Sequence, residues 1–172
     1  MDGCIDERDH RAGADDLRLL PMAPTMAAAL ADFHARLSAD TIRNRFFTPH
    51  PELSPDELRR FTTVDHVDRD AFVLVDGQDI VAVARLDRLA PGGTAAEVAF
   101  VVADSFQHRG LGALLLAALV ERARQLGITR LEADTLTTNI AMQAIFRHAG
   151  LPVTTSLDHG VVHVTIEVAP PS

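Results

Sequence analysis

The spacing of apolar residues changes along this chain, and each spacing predicts one type of element. In residues 25–37 the apolar side chains are separated by four, three and four positions, the period of one helix face, at Met26, Leu30, Phe33 and Leu37. From residue 71 onward, apolar residues instead form short continuous runs between turn residues, which is typical of strands. The runs 72–75 and 80–84 flank Asp76-Gly77 and predict a β-hairpin across that dipeptide.

Capping residues and turns divide the rest of the chain into further elements. Ser54, followed by Pro55 and by Glu57 three residues after it, is a typical helix start. The predicted order is a strand (17–20), two or three helices (25–63), three strands (71–102), a helix (113–126), a strand (129–135), a helix (139–149) and a closing strand (161–168). That order predicts an α/β (α+β) fold with a mixed, mostly antiparallel sheet and a central βαβ crossover.

Composition limits the class and the location of the protein. The 172 residues, 47% of them apolar, suffice for one domain with a buried core, predicted at 16–172 after a flexible tail at 1–15. The net charge of −8 argues against a nucleic-acid partner, and no apolar run reaches the roughly 18 to 20 residues of a membrane span. A single cysteine, Cys4, excludes an internal disulfide framework and fits a cytoplasmic protein. All 16 residues counted as Lys or Arg are arginine, which a GC-rich coding bias would explain.

A glycine-containing turn joins the apolar segment 95–102 to the predicted helix 113–126. The turn reads Gln107-His108-Arg109-Gly110-Leu111-Gly112. A strand, a turn and a helix in this order direct backbone N–H groups and the positive helix end to one place, where a phosphate could bind. A Walker loop would need Lys and Ser/Thr after Gly112, and a dinucleotide fingerprint would need a third glycine where Leu115 stands. The alternative is a plain strand-to-helix turn whose glycines allow tight packing.

Glu97 interrupts the apolar segment 95–102 and is the strongest catalytic candidate. A carboxylate beside an apolar cleft has a raised pKa and can serve as a general base. The alternative is a solvent-facing strand position. No metal site is predicted, because the chain has no cysteine pair and His159 and His163 lie on a predicted turn and strand.

The turn Q-x-R-G-L-G, placed after a strand that carries Glu97, resembles the coenzyme A loop of the GNAT family of N-acetyltransferases, and the resemblance covers roughly residues 16–168. It implies the GNAT fold, with helices on both faces of the sheet. Three further strings resemble the Pat-type bacterial protein lysine acetyltransferases: residues 96–102 (A-E-V-A-F-V-V), residues 59–69, and Ser38 with Arg45-Phe46-Phe47. In these strings Asp65 and His66 are candidates for the acceptor entrance, while the phenylalanines and arginines also fit core packing and ion pairing.

The resemblance implies a set of site residues. Glu97 would be the base, and the residues that bind acetyl-CoA would be Val101, Val102, Gln107, His108, Arg109, Gly110, Leu111, Gly112, Ala113, Asn139 and Phe146. Within this set, Val101 and Val102 would offer backbone groups to the pantetheine arm, and residues 107–113 would enclose the pyrophosphate. Asn139 also fits ordinary helix capping. Many relatives have a Tyr acid where this chain has Phe146, and no Tyr occurs anywhere in the chain.

The resemblance implies an acetyl-CoA-dependent enzyme that acetylates a lysine on a protein, an acyl-CoA synthetase being one candidate partner. It implies no metal, nucleic-acid or membrane partner. Two alternatives remain: a free amino acid or polyamine as acceptor, or a catalytically weak acyl-CoA-binding module. Pat-type proteins often carry an additional regulatory domain, for which 172 residues leave no room, so regulation stays open.

Overall fold

The computed structural model describes residues 16–168. The predicted tail at 1–15, with Cys4, lies outside the described residues. Seven strands form one sheet in the order β1-β2-β3-β4-β5-β7-β6. The strands are β1 Leu17–Pro21, β2 Arg69–Asp76, β3 Asp79–Arg88, β4 Ala95–Val102, β5 Arg130–Leu136, β6 Val153–Asp158 and β7 Val161–Glu167. All neighbouring strands are antiparallel except β4 and β5, which are parallel.

Five helices connect these strands: α1 Ala27–Ala35, α2 Ala39–Phe46, α3 Pro55–Thr62, α4 Leu111–Gln125 and α5 Ile140–Arg147. Helix α4 makes the crossover between β4 and β5. The side chain of Ser54 accepts a hydrogen bond from the Glu57 backbone N–H, and the Glu57 carboxylate accepts one from Ser54 N, so the predicted start of α3 is confirmed. None of the helices between residues 16 and 168 is long and apolar enough to cross a bilayer.

The sheet separates two apolar cores. On one face, Leu115 and Leu119 of α4 and Phe146 of α5 pack with Val98 and Phe100 of β4. On the other face, α1, α2 and α3 cover the first strands; this core includes Leu30, Phe33, Ile42, Val73 and Val83. Helices therefore lie on both faces, and the predicted fold class, with its βαβ crossover, is confirmed.

The hairpin of β2 and β3 and the helix after residue 25 are confirmed, but three local details differ from the predictions. The sheet contains one strand that was not predicted, β6. Its residues after Val153 are all exposed, so its sequence has no alternation of apolar and polar residues that would indicate a strand. The hairpin turn lies at Gly77-Gln78, because Asp76 still pairs with Asp79. The predicted helix at 25–37 is shorter, since Pro24–Met26 forms a 3₁₀ turn before α1.

Candidate active site

Strands β4 and β5, which helix α4 connects, diverge and leave a cleft between them. β4 and β5 are paired only from Ala95↔Arg130 to Glu97↔Glu132, although both strands continue beyond that point. The space between them is a cleft of about 510 Å³, closed at its sides by the start of α4, by α5 and by α2. Because the last five residues of β4 have no β5 partner, backbone groups on that side of the strand are available to a ligand.

Eleven of the twelve sequence-predicted site residues line this cleft; the exception is Arg109. The Arg109 guanidinium carbon instead lies 4.9 Å from the centre of the Phe106 ring. Asn139 lines the cleft and also caps α5, since its side chain accepts a hydrogen bond from the Met142 N–H. The structure therefore brings together residues that are separated by up to 49 positions in the sequence, from Glu97 to Phe146.

One end of the cleft is suited to an anion. Gly110 has φ +80°, and its carbonyl accepts the first helical hydrogen bond of α4, from Leu114. The next three N–H groups, at Leu111, Gly112 and Ala113, have no partner within the helix and carry its positive end. His108, exposed and with φ +62°, occupies the adjoining turn. These features match a pyrophosphate-binding turn.

The two glycines of the turn have different roles. At Gly110 an added Cβ would meet nothing within 4 Å, so this position requires glycine because of its left-handed backbone. At Gly112 an added Cβ would lie 2.5 Å from Ile145 Cδ1 of α5. Gly112 therefore permits close contact between α4 and α5, which is the packing role that the sequence had left as an alternative.

A polar network holds α2 against the turn before α4. The Asp104 carboxylate accepts hydrogen bonds from Ser38 Oγ at 2.6 Å, Ser38 N at 3.0 Å and Thr41 Oγ1 at 3.0 Å. Burial raises the pKa of Asp104, but the hydrogen bonds from Ser38 and Thr41 together outweigh it and hold the pKa below its usual value. Gln107 extends the network, donating to Thr41 Oγ1 and to the Val102 carbonyl, both at 3.1 Å. No sequence pattern pointed to Asp104 or Thr41, because the hydrogen bonds from Ser38 and Thr41 to Asp104 and from Gln107 to Thr41 each span more than sixty positions.

Glu97 stands at the other end of the cleft, at the last paired position of β4. Its neighbours Ala96 and Val98 are buried on the α4 side of the sheet, while the Glu97 side chain points to the opposite side and is exposed. Surrounding atoms still crowd it: partial desolvation is the largest cause of its raised pKa, followed by the negative charges of Asp134 and Asp87. Glu97 is thus a carboxylate that is reached from the cleft and has an increased affinity for a proton.

Arg45 of α2 is the one cation among the groups with the largest effect on Glu97, and its charge lowers the pKa of the carboxyl. The guanidinium carbon of Arg45 lies 4.8 Å from the centre of the Phe46 ring, and burial lowers the pKa of the arginine itself. Arg45 and Phe46 both line the cleft. The sequence had offered core packing and ion pairing for this segment; Phe46 does pack against the core, and Arg45 adds a charge beside the base.

Asp65 and His66, the candidates for the acceptor entrance, do not line the cleft itself. Asp65 Oδ1 accepts hydrogen bonds from the backbone N–H groups of Val67, Asp68 and Arg69, each at 2.9 Å, and caps its own loop. His66 Nδ1 lies 2.8 Å from the buried carboxylate of Asp70, which also pairs with Arg122 of α4 at 2.6 Å. These residues therefore fasten the start of β2 to α4.

Phe146 is 3% exposed and packs edge-on against Phe100, with ring centres 5.9 Å apart. If departure of the coenzyme A thiolate does not limit the wild-type reaction, we expect Phe146→Tyr to change turnover only modestly. Steady-state turnover with acetyl-CoA measures this. A large gain in turnover would show instead that loss of the leaving group is rate-limiting in this chain.

Comparison with known proteins defines the class. A sequence model described as the Acetyltransferase (GNAT) family matches residues 37–151, more than half of the chain. The chain therefore belongs to the GNAT family and is an N-acetyltransferase. The fold agrees with that class: it is similar to the crystal structure of the GNAT domain of S. lividans PAT, with a TM-score of 0.82 and 35% identity over 88% of this chain and 90% of that one.

Among curated proteins, the chain is similar to Acetyltransferase Pat of Mycolicibacterium smegmatis, with 32% identity over 154 residues. The match covers 88% of this chain and 46% of that protein, so the chain spans about half the length of this relative. The yncA protein of Salmonella typhimurium, solved with its cofactor acetyl-CoA, has a TM-score of 0.71 over 89% of this chain and 94% of that one. Its identity of 14% supports a shared fold only.

Proposed function

We propose that this chain transfers the acetyl group of acetyl-CoA to the ε-amine of a lysine on a protein, by direct attack in a ternary complex. The observation that carries the proposal is a single cleft with an anion-binding helix start at one end and Glu97 at the other. Such a cleft can hold a phosphate-bearing thioester and a base at once.

Acetyl-CoA fits the groups that line the cleft. Its pyrophosphate would accept hydrogen bonds from the N–H groups of Leu111, Gly112 and Ala113. Its pantetheine amides would pair with backbone groups of β4 after Glu97 that have no β5 partner, and the thioester would then lie toward Glu97. Asn139, Met142 and Ile145 of the α5 segment form the opposite wall. Acetyl-CoA supplies the activated acyl group, and the protein supplies position and a proton acceptor.

The proton balance assigns a role to Glu97. A lysine enters as an ammonium ion and cannot attack until it loses a proton, which Glu97 accepts directly or through a water. The freed amine attacks the thioester carbonyl, an N–C bond forms and the C–S bond breaks. The nitrogen then loses its second proton, which ends on the coenzyme A thiolate. Phe146 has no proton to give, so this last transfer proceeds through solvent.

The charges around Glu97 favour a cationic acceptor. Asp87, Glu132 and Asp134 all act on Glu97 with negative charge, and Arg45 alone opposes them among the groups with the largest effect. Glu97 and Asp134 both line the cleft, and two carboxylates there would attract an ammonium group. The lysine class of the acceptor is supported by the similarity to two proteins named Pat, and a free small amine would satisfy the same charges.

An assay of thiol release separates these acceptors. Acetyl-CoA is mixed with the chain and with a panel containing an acyl-CoA synthetase, other lysine-bearing proteins, free amino acids and polyamines. We expect thiol release with at least one protein, matched by an acetylated lysine in its mass spectrum. Release with small amines only would replace the lysine assignment by the small-amine alternative. Binding of acetyl-CoA without release for any acceptor would indicate a binding module.

The absence of lysine gives a second expected result. The 172-residue sequence contains no lysine, so its only ordinary amine acceptor is the α-amine of Met1, which is less basic than a lysine. Intact-mass analysis of a tag-free preparation incubated with acetyl-CoA should show at most one added acetyl group, at the N-terminus. Two or more stable adducts would contradict this and indicate ester or thioester formation on other side chains.

A further inference from the structure

The helices α1, α2 and α3 cover only part of the sheet face on which they lie. Within residues 16–168, the core beneath them takes its strand residues from β1 to β4. Leu131 and Ala133 of β5 and Val164 and Ile166 of β7 belong instead to the core on the other face, beneath α4 and α5. Because side chains alternate along a strand, the residues between these four point to the side of α1, α2 and α3.

Six polar side chains form the part of this face beyond β4, and we call them the open sheet face: Glu132 and Asp134 of β5, His163 and Thr165 of β7, and Thr154 and Ser156 of β6. The register places them in two rows across the strands, Glu132–Thr165–Thr154 and Asp134–His163–Ser156. All six side chains are exposed or partly exposed. The open sheet face is therefore accessible to a second molecule.

The open sheet face continues directly from the cleft. Glu97 is paired with Glu132 in the β4–β5 register, and Glu97 and Asp134 both line the cleft. A lysine side chain has to reach Glu97 from the side of the sheet to which Glu97 points. Over β1 to β4 that side is occupied by α1, α2 and α3, whereas β5, β7 and β6 leave room for a polypeptide that carries the lysine.

We propose that a basic, lysine-bearing segment of the acceptor protein docks on the open sheet face, with its lysine at Glu97. The inference rests on the proposed acetylation of a protein lysine, and it adds the docking surface and the charge of the partner. The open sheet face positions the acceptor, and its β6 residues take no part in the transfer itself.

The charge of the three strands favours a basic partner. β5, β6 and β7 together carry four carboxylates against one arginine, and alternation places all five side chains on the side of the open sheet face: Glu132, Asp134, Asp158, Glu167 and Arg130. Arg130 pairs with Glu132 at 3.2 Å, so a surplus of negative charge remains when histidine is counted as neutral. A surface of this sign attracts a segment rich in Arg or Lys and repels an acidic one.

The width of the open sheet face sets the length of the segment that crosses it. Neighbouring strands lie about 4.8 Å apart, so β6, three strand spacings from β4, is about 14 Å away from it. An extended polypeptide advances about 3.3 Å per residue, so roughly four residues cover that width. A residue roughly four positions from the acceptor lysine would therefore lie above β6, near Thr154 or Ser156.

The test uses two short peptides, each with one central lysine in a Gly/Ser background. One peptide carries arginines roughly four residues to either side of the lysine, and the other carries glutamates there. The kcat and KM of thiol release are measured for each at saturating acetyl-CoA. We expect the wild type to prefer the arginine-flanked peptide, because the open sheet face is acidic.

Ser156→Arg should alter this preference in both directions. It should lower kcat/KM for the arginine-flanked peptide and raise it for the glutamate-flanked peptide, each by about two- to fivefold, the effect of one exposed ion pair. The change should appear in KM and not in kcat, since residue 156 lies two strands beyond β5. Nα-acetyl-lysine amide has the same ε-amine without flanking residues, so its reaction should be unchanged in this variant.

Thr155→Arg is the matched control. Thr155 is the neighbour of Ser156 on the same edge strand and is also exposed, but it lies opposite Val164 and so points to the side of α4 and α5. The same charge placed there should leave all three acceptors unchanged. Both positions are exposed, so both variants should fold.

Two results would overturn the docking proposal: Ser156→Arg leaves both peptides unchanged or shifts them in the same direction, or Thr155→Arg has the same effect as Ser156→Arg. In either case acetylation of the lysine by the wild type still supports the proposed function. Absence of thiol release with every peptide and every protein would instead contradict acetylation of a protein lysine, and the docking proposal with it. The two failures are therefore distinguishable.

Discussion

Replacing Glu97 by Gln should lower turnover by about 10²–10⁴-fold while leaving acetyl-CoA binding nearly intact. Glutamine keeps the size and hydrogen-bonding capacity of the side chain but cannot accept a proton from the acceptor ammonium. The affinity is expected to survive because Glu97 lies at the end of the cleft away from the start of α4. Steady-state kinetics gives the turnover, and calorimetry with acetyl-CoA gives the affinity.

Glu132→Gln is the matched control for this variant. Glu132 is the direct neighbour of Glu97 in the β4–β5 register and carries the same charge, but it is held by Arg130. Its loss should change turnover by no more than a few-fold. Wild-type turnover of Glu97→Gln across pH 6 to 9 would exclude Glu97 as the base, as would an equal loss in Glu132→Gln.

The pH profile of the wild-type enzyme should show the raised pKa of Glu97. The base works in its ionised form, so turnover falls as the pH drops through the pKa of this carboxyl. Because desolvation and the charges of Asp134 and Asp87 raise that pKa, the fall should begin at a higher pH than for an ordinary glutamate. In Glu97→Gln this acid limb should disappear from the residual activity.

Gly110→Val should weaken acetyl-CoA binding by more than tenfold. A β-branched residue does not adopt φ +80° without strain of about 1–3 kcal/mol, so the turn should rearrange and displace the N–H groups that begin α4. A tenfold loss of affinity corresponds to about 1.4 kcal/mol. Calorimetry on folded protein measures the loss.

Gly77→Val separates the cofactor effect from simple strain. Gly77 has φ +63° and, like Gly110, has no atom within 4 Å of an added Cβ, but it lies in the β2–β3 turn away from the cleft. Both variants should lose stability, and only Gly110→Val should lose acetyl-CoA affinity. Unchanged affinity in a folded Gly110→Val variant would place the pyrophosphate elsewhere.

The parts of the fold that the sequence predicted are those with a strong local signal. The capping box at Ser54, the apolar face of α1 with Leu30 and Phe33, and the apolar runs of β2 and β3 each depend on neighbouring residues. Strand β6 was missed because it is an exposed edge strand that pairs only with β7, so burial left no pattern in its side chains. This segment forms a strand because it pairs with β7, and no pattern in its own sequence indicates a strand.

The site residues also divide into those with a local sequence signal and those defined by long-range contacts. The turn at 107–112 and Glu97 were recognisable because the residue types and their order in the chain carry the chemistry. The roles of Asp134, Arg45 and Asp104 at the site were not, since each role arises from a contact between distant segments: β5 beside β4, α2 beside the cleft, and the loop before α4 against Ser38. The divergence of β4 and β5 after Glu97 forms the cleft that has Glu97 at one end and the start of α4 at the other.

The most direct test of the account is a single-turnover experiment with ¹³C-acetyl-CoA, excess enzyme and a lysine-bearing acceptor identified in the thiol assay. Mass spectrometry follows the label in wild type and in Glu97→Gln. The account predicts that the label passes to the lysine ε-amine with one thiol released per acetyl group, that no label accumulates on the enzyme, and that the transfer is at least about a hundredfold slower in Glu97→Gln. Label that appears first on the enzyme, or transfer at the wild-type rate without Glu97, would contradict direct attack assisted by this carboxylate.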